Sequence, residues 1–317
     1  MPRGAEMSEP LISILIPFHG DNPAALFDAL ILQASKTKLP VEFVLGDDAS
    51  PGGPPEILLK RIREETSARL LSSIENLGRA RMRNRLGQMA QGRYLLFLDA
   101  DMLPDSSDFL AHYITLCEGG EPEIVFGGIS LLQTPVQTET SLHRALSLAT
   151  ECLSASERRR SPAAHVFTSN LLVRRDVFQQ CAFDDGFSGW GWEDIEWALR
   201  ADARFNIEHI DNYATHLGLY RDEALMMRYE NSLGNFRRII QMQPQAVAQM
   251  RLTRLSRQLA DLQLGPPFQS GLRKLALSRS LPLVLRLFAF RLWRACLYAS
   301  AFDVSARRSP QPHTAKT

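Results

Sequence analysis

A chain of 317 residues, 45% of them hydrophobic, is long enough to bury one large core plus an appendage, and too apolar to be intrinsically disordered. Its formal charge of +1 argues against nucleic acid as the main partner, although the C-terminal stretch is distinctly basic. Four scattered cysteines (Cys117, Cys152, Cys181, Cys296) show no Cys-x-x-Cys spacing and no accompanying His pattern, so neither a zinc site nor a disulfide framework is expected. The first ten residues carry Arg3, Glu6 and Glu9 and lack the apolar core of a signal peptide. Together these features predict a cytoplasmic protein.

Taken in chain order, Ile12 to Pro17 is an apolar run that predicts a buried first strand, and Asn22-Pro23 supplies a cap and first-turn proline for a helix to about Ser35. Val41 to Leu45 is a second strand running into Gly46-Asp47-Asp48. A helix from Glu56 to Thr66, a short strand at Leu70-Leu71 and a helix from Gly78 to Met89 precede the strand Tyr94 to Leu98. Strand and helix alternate with short connections, which predicts an α/β fold: a Rossmann-like, mostly parallel sheet flanked by helices. In such sheets ligands sit beyond the carboxyl ends of the strands, where His19, Asp48 and Asp99 are expected.

Past Asp105 the pattern predicts a helix to about Cys117, a strand over Ile124 to Ile129, a helix over Thr138 to Arg160, and strands over His165 to Val173 and Ile207 to Tyr213. Ser154 to Pro162, with Glu157 and Arg158 to Arg160, reads either as a mobile loop over a site or as a solvated charged turn. Trp192 to Ala203 is expected to be a helix that turns Trp192, Ile195 and Leu199 to the core. From Asp222 onward helices dominate, and a disordered tail is expected from residue 305.

Two acidic clusters carry the chemistry. At the end of the Tyr94 strand, Asp99-Ala100-Asp101 presents two carboxylates one residue apart, a spacing that lets oxygen ligands converge on a divalent cation such as Mn2+ or Mg2+, which in turn would hold a diphosphate. An Asp-x-Asp in a turn after a strand is also a common structural device. With Asp48 ending an earlier strand, three carboxylates are expected to crowd one sheet edge, where they repel unless a cation or donor is present. The second cluster, Gly189-Trp190-Gly191-Trp192-Glu193-Asp194, sets carboxylates beside an aromatic face and flexible glycines. That combination suits a sugar hydroxyl that must be stacked, oriented and deprotonated. Asp194 near a helix start is expected to remain ionised. His216 reads as a metal ligand or as a structural histidine. Asn76, Arg79, Arg81 and Arg83 cluster at a helix start, which points to pyrophosphate contact or to a plain surface role.

At these residues the chain resembles the family 2 glycosyltransferases of the GT-A fold. Its Gly-Trp-Gly-x-Glu-Asp segment is also similar to that of β-1,4-galactosyltransferases and chondroitin-type polymerases. The resemblance runs from about Leu11 to Leu219. It implies inverting transfer from a nucleoside-diphosphate sugar, usually a uridine one, to a hydroxyl of a glycan or glycolipid. Pro17, His19, Asp48, Asn76, Arg79, Arg83, Asp99, Ala100 and Asp101 would lie on the donor, with Asp48 on the base and Asp99 and Asp101 on ribose and metal. Asp101 and His216 would bind the metal; Trp190, Gly191 and Glu193 would hold the acceptor, and Asp194 would be the general base. His19 stands where relatives often place an aromatic for the uracil ring. The implied division is an N-terminal extension over residues 1–10, a catalytic domain over 11–221, a helical region over 222–304 and a tail over 305–317. A sugar-nucleotide hydrolase, a nucleotidyltransferase or a non-catalytic glycan-binding subunit are the alternatives.

In the basic C-terminal region, Arg273, Arg279, Arg286, Arg291 and Arg294 fall within a helical-wheel sector of roughly 140°. Two readings stand for it: peripheral contact with the inner face of an anionic membrane, helped by Phe288, Phe290 and Trp293, or packing on protein with a solvated Arg face.

Overall fold

A computed structural model describes residues 9–37 and 39–302. Most of the N-terminal extension and all of the tail at 305–317 lie outside the described residues. The chain divides into two compact units that meet between Arg221 and Asp222.

The first unit runs β1 (Ile12–Phe18), α1 (Ala24–Ala34), β2 (Val41–Asp47), α2 (Glu56–Glu64), β3 (Ala68–Ser72), α3 (Arg79–Met89), β4 (Tyr94–Leu98), β5 (Met102–Pro104), α4 (Phe109–Gly120), β6 (Ile124–Phe126) and β7 (Ile129–Ser130). It continues with α5 (Ser141–Thr150), α6 (Ala155–Arg158), β8 (Asn170–Arg174), α7 (Arg175–Gln180), α8 (Glu193–Asp202), β9 (Ile207–His209) and β10 (Ala214–His216). Seven strands form the main sheet in the order β3-β2-β1-β4-β8-β6-β9, and β5-β10-β7 form a small second sheet. The continuous apolar runs of β1 and β4 occupy its middle, buried on both faces, as a helix-covered parallel strand requires. Half-buried β3 is one edge and β9 the other.

In the main sheet β8 alone runs against its neighbours, pairing antiparallel with β4 and with β6. That reversal matters for the site. The register sets Asn170, the first residue of β8, opposite Leu98, the last of β4. Residues just before β8 therefore stand at the edge where the parallel strands end.

Several expected elements are broken in ways the local pattern did not reveal. The strand expected over 124–129 splits between the two sheets at Gly127-Gly128. A Cβ at Gly127 would lie 2.2 Å from the Tyr113 hydroxyl, and Gly128 takes a φ of +101°. The strand expected from His165 begins only at Asn170, because Pro162–His165 forms a 3-10 turn. The strand expected over 207–213 stops at His209. The helix expected over 138–160 is two helices, and the segment 154–162 carries the second, α6, with Glu157, Arg159 and Arg160 exposed, as in a solvated charged turn, but Arg158 buried. Ser154 and Glu157 form a reciprocal capping box, and Arg158 is fully buried, donating to the Leu153 and Ile210 carbonyls and to His209 Nδ1.

Helix α8 also turns a different face inward than expected. Glu193, Glu196, Trp197 and Ala201 are buried, whereas Trp192, Ile195 and Leu199 are half-buried. Trp197 Nε1 donates to the Cys181 carbonyl at 2.6 Å, and Arg200 saturates buried Glu196 at 2.9 and 3.0 Å. The Arg200 bonds let the helix bury Glu196.

The second unit is helical: α9 (Asp222–Asn231), α10 (Leu233–Met242), α11 (Pro244–Gln249), α12 (Arg251–Asp261), α13 (Pro266–Leu277) and α14 (Leu283–Ala299). Its arginines do not form a uniformly solvated face. Arg286 is 4% exposed, bonded to Asp222 and to the Ala276 carbonyl. Phe290 and Trp293 are core residues, whereas Phe288 is 66% exposed. No helix among the described residues is long and apolar enough to cross a membrane.

Candidate active site

The site begins where β2 ends. Asp48 is buried, and its carboxylate accepts hydrogen bonds from the backbone N–H groups of Leu77 (2.7 Å) and Gly78 (2.9 Å), drawing the β3–α3 loop onto it. Gly78 holds a φ of +85°, a conformation that glycine adopts without steric cost. His19 Nδ1 lies 2.7 Å from the Asp48 carbonyl oxygen, so the loop after β1 is tied to the same point. Pro17 is half-buried near the end of β1, paired with Gly46. Asn76, by contrast, is exposed and makes no side-chain hydrogen bond.

Helix α3 places Arg79 and Arg83 on one face, four residues apart. Both reach Asp99 at the end of β4: Arg79 Nη2 donates to one carboxylate oxygen at 3.1 Å and Arg83 Nη2 to the other at 2.7 Å. Buried Ala100 follows, turning the chain toward Asp101. Burial by itself would raise the Asp99 pKa, but the charges of Arg83 and Arg79 and the Arg83 hydrogen bond hold it below the usual carboxylate range. The expected repulsion among Asp48, Asp99 and Asp101 is thus relieved by backbone and guanidinium donors.

Arg83 is 1% exposed and does more than bind Asp99. Its Nη1 lies 3.6 Å from Glu193 and 3.8 Å from Asp194, and Arg79 lies 4.0 Å from Glu193. Two acidic clusters, some ninety residues apart in sequence, therefore surround one buried cation. Among the described residues, Arg83 Nε and Nη1, Glu193 Oε2 and Ser169 Oγ are buried with no hydrogen-bond partner. Other such atoms lie elsewhere in the chain, but those of Arg83 and Glu193 belong to side chains 3.6 Å apart and offer capacity that a ligand or water can take up. Burial, with Asp194 beside it, pushes the Glu193 pKa up against the opposing pull of the two arginines.

On the far side of Asp99 the small sheet supplies a different partner. Antiparallel pairing of β10 with β5 sets His216 opposite Met102 and brings its Nε2 to 3.2 Å from Asp101 Oδ2. Although burial works against protonation, this hydrogen bond and the charge of Asp101 raise the His216 pKa. A Cβ on Gly218 would fall 1.9 Å from Asp101 Oδ2, so only glycine leaves that oxygen its space. The residues after His216 are held by His143 of α5, which stacks on Tyr220 and accepts its backbone N–H at 2.8 Å. One carboxylate oxygen, one imidazole nitrogen and a glycine gap suit a hard divalent cation that takes its other ligands from elsewhere. Among the described residues no group of three His, Cys, Asp or Glu side chains is arranged to hold a metal by itself.

The Gly189–Asp194 segment reaches the cluster through an unusual backbone. Gly189 (φ +72°), Gly191 (+89°) and Trp192 (+77°) are all left-handed. For a tryptophan this is strained, and Trp192 thus forms the N-terminal boundary of α8 rather than the core residue expected. Trp190 and Gly191 are half-buried within it. Helix α3 anchors the run before this segment: Asn84 exchanges bonds with the Phe183 backbone (2.9 Å each way) and donates to Asp185 at 2.7 Å. One helix therefore carries both the arginines and the clamp for the acidic loop. Asp194 receives the Thr168 hydroxyl on one oxygen (3.0 Å) and the Thr168 N–H on the other (3.3 Å).

Thr168 and Gly218 are contributors that reading the chain locally passed over. Thr168 directly precedes Ser169 and the start of β8 at Asn170, and only the reversed direction of β8 brings it to this edge. Asn84 belongs to the same polar run at the start of α3 as the arginines, but its hold on Phe183 and Asp185 was not foreseen. No signal in the sequence distinguished Gly218.

The geometry can be set beside known proteins. No curated protein matches the sequence. Among solved structures, a mannosyltransferase from Pyrobaculum calidifontis in complex with GDP-Man and Mn2+ matches over 96% of this chain and 78% of its own, at 14% identity and a TM-score of 0.50. The TarS protein of S. aureus (residues 1–349) matches over 93% of this chain and 91% of its own, at 15% identity and a TM-score of 0.47. The fold is GT-A-like. The profile of Glycosyl transferase family 2 matches residues 13–181, a span that includes β1 to β4, Asp48, Arg79, Arg83 and the Asp99–Asp101 turn, and the chain belongs to that family of glycosyltransferases.

Proposed function

We propose that this glycosyltransferase moves a sugar from a nucleoside-diphosphate donor, with UDP the expected nucleotide, to a hydroxyl of a glycan or glycolipid, inverting the anomeric centre. The reading is carried by buried Arg83, which lies within 2.7 to 3.8 Å of Asp99, Glu193 and Asp194 and so gives the two acidic clusters a common centre. Asp48, with Pro17, His19 and Asn76, would face the nucleoside, and Asp99 the ribose. Asp101 and His216 would hold Mn2+ or Mg2+. Such a cation, when bound, neutralises the negative charge that builds on a departing diphosphate. Arg79 and Arg83 add fixed positive charge beside that leaving group, placed before the reaction begins. Trp190, Gly191 and Glu193 would seat the acceptor sugar. Glu193 presents its unpartnered Oε2, which would accept a hydrogen bond from an acceptor hydroxyl.

Asp194 is the proposed general base. Thr168 occupies both its oxygens with single hydrogen bonds, which orients the carboxylate and leaves lone pairs free. As the acceptor oxygen attacks the anomeric carbon, its proton passes to Asp194, and the sugar–phosphate bond breaks with its electron pair leaving on the diphosphate.

Asp194→Asn is the test. Donor affinity, measured by titration calorimetry, stays as in the wild type, while transfer drops about 10²–10⁴-fold. A loss of donor affinity as large as the loss of turnover would overturn the assignment. Nucleoside-diphosphate release that needs no acceptor would identify a hydrolase instead.

A further inference from the structure

Between Asp261 and Asp303 the sequence contains no carboxylate, yet it contains Arg273, Lys274, Arg279, Arg286, Arg291 and Arg294. Three of these cations are used inside the second unit. Arg286 pairs with Asp222, Arg273 lies 3.6 Å from Glu230, and Arg294 donates to the Tyr229 hydroxyl while stacking on its ring. The other three, Lys274, Arg279 and Arg291, have no ion-pair partner among the described residues, and Lys274, Arg279 and Arg291 are all exposed.

Large apolar side chains are exposed in the same stretch. Leu283 (41%), Val284 (77%), Leu285 (53%) and Phe288 (66%) project from the first turns of α14, and Leu275 (49%) from the end of α13. Val284, Phe288 and Arg291 recur at four- and three-residue spacing, so they share one stripe of the helix. The opposite side of α14, with Arg286, Ala289, Phe290 and Trp293, is buried, and so is its C-terminal end at Ala295, Tyr298 and Ala299. What remains outside is a compact apolar tip with cations on either side of it in sequence.

We infer that this tip docks on an anionic lipid bilayer, with Val284, Leu285 and Phe288 entering the headgroup boundary and Lys274, Arg279 and Arg291 meeting lipid phosphates. The charge pattern decides in favour of this occupant. A protein partner's apolar patch needs no flanking uncompensated cations, whereas an anionic surface supplies the missing negative charge. With 17 residues and three arginines, α14 does not span the bilayer. The inference is independent of the catalytic reading, since none of these residues belongs to the proposed site.

The full-length protein is tested by co-sedimentation with vesicles of pure phosphatidylcholine and with vesicles that also contain phosphatidylglycerol. Binding is expected to the anionic vesicles only, and to weaken as salt is raised. The paired change V284E and F288E abolishes it. Replacing Lys274, Arg279 and Arg291 together by Gln weakens it about a hundredfold, at roughly fivefold for each charge near the surface. Both variants alter exposed side chains, and an unchanged circular dichroism melting curve confirms that they fold. Absence of binding to anionic vesicles, or binding that the variants leave intact, overturns the inference. So does a lipid-free dimer in sedimentation velocity that V284E and F288E dissociate, which would assign the tip to a second copy of the chain.

Discussion

Three arginines are buried to within a few percent of completely, and they differ in what their hydrogen-bonding capacity is used for. Arg158 in the first unit spends its guanidinium on the Leu153 and Ile210 carbonyls and His209, and it stacks on Phe126 and Tyr213. Arg286 in the second unit binds Asp222 and the Ala276 carbonyl. Arg83 is as buried as either, yet its Nε and Nη1 find no hydrogen-bond partner while three carboxylates surround it. Burial of charge alone therefore does not mark a functional group. What sets Arg83 apart is that its unused donors face carboxylates from two distant segments, Asp99 and the Glu193–Asp194 pair, where a ligand or water can complete them.

The contrast can be broken most directly at Arg286. Arg286→Met strands Asp222 in a buried setting and is expected to cost about 3–5 kcal/mol of stability in chemical denaturation, and Arg158→Met should behave alike. Arg83→Met is expected to act on turnover instead, lowering transfer about 10²–10³-fold, as loss of a fixed donor to developing charge does. Its melting temperature should fall less than that of Arg286→Met; an equal fall would make Arg83 a structural arginine too. Gly218→Ala sharpens the comparison at the site's other end. The new methyl must push the Asp101 carboxylate aside, a strain of about 1–3 kcal/mol, read as a higher Mn2+ concentration for half-maximal transfer with little change in melting temperature.

An effect confined to acid pH lies in the saturated network around Arg158. His209 is neutral there: its Nδ1 accepts from Arg158 while Nε2 faces the Pro162 carbonyl at 3.2 Å. Burial first, and then the charge of Arg158, push its pKa from 6.5 down to about 4. Because the folded protein resists protonation that the unfolded chain accepts, this contribution is complete above pH 6.5 and is lost as the pH falls toward 4. Melting temperatures followed over that interval should fall in the wild type and fall less in His209→Gln.

How much of this was legible beforehand depends on whether the signal was local. Strands β1, β2 and β4 and the acidic turns behind them could be read directly, since an unbroken apolar run must be buried on both faces and must end where polar residues begin. Failures came where chain direction or a close approach decided the outcome. Gly127 and Gly128 divide an expected strand because Tyr113, Asn170 and Tyr213 crowd them. Helix α8 buries Glu193 and Glu196 rather than Ile195 because Arg200, four residues on in the same helix, pairs with Glu196, and the α3 arginines reach Glu193 from another element. Phe290 and Trp293 read like membrane anchors from composition, yet they lie in the core of the second unit.

By itself the sequence determined the family, the alternating α/β order and the positions along the chain where carboxylates gather, because spacing and apolar periodicity act over a few residues. Only the tertiary structure decided which of those carboxylates share a cation, that Thr168 orients Asp194, and that His216 meets Asp101 under a glycine. Each of these depends on strand direction and register between segments distant in sequence, and a shift of one residue in register turns a side chain to the opposite face.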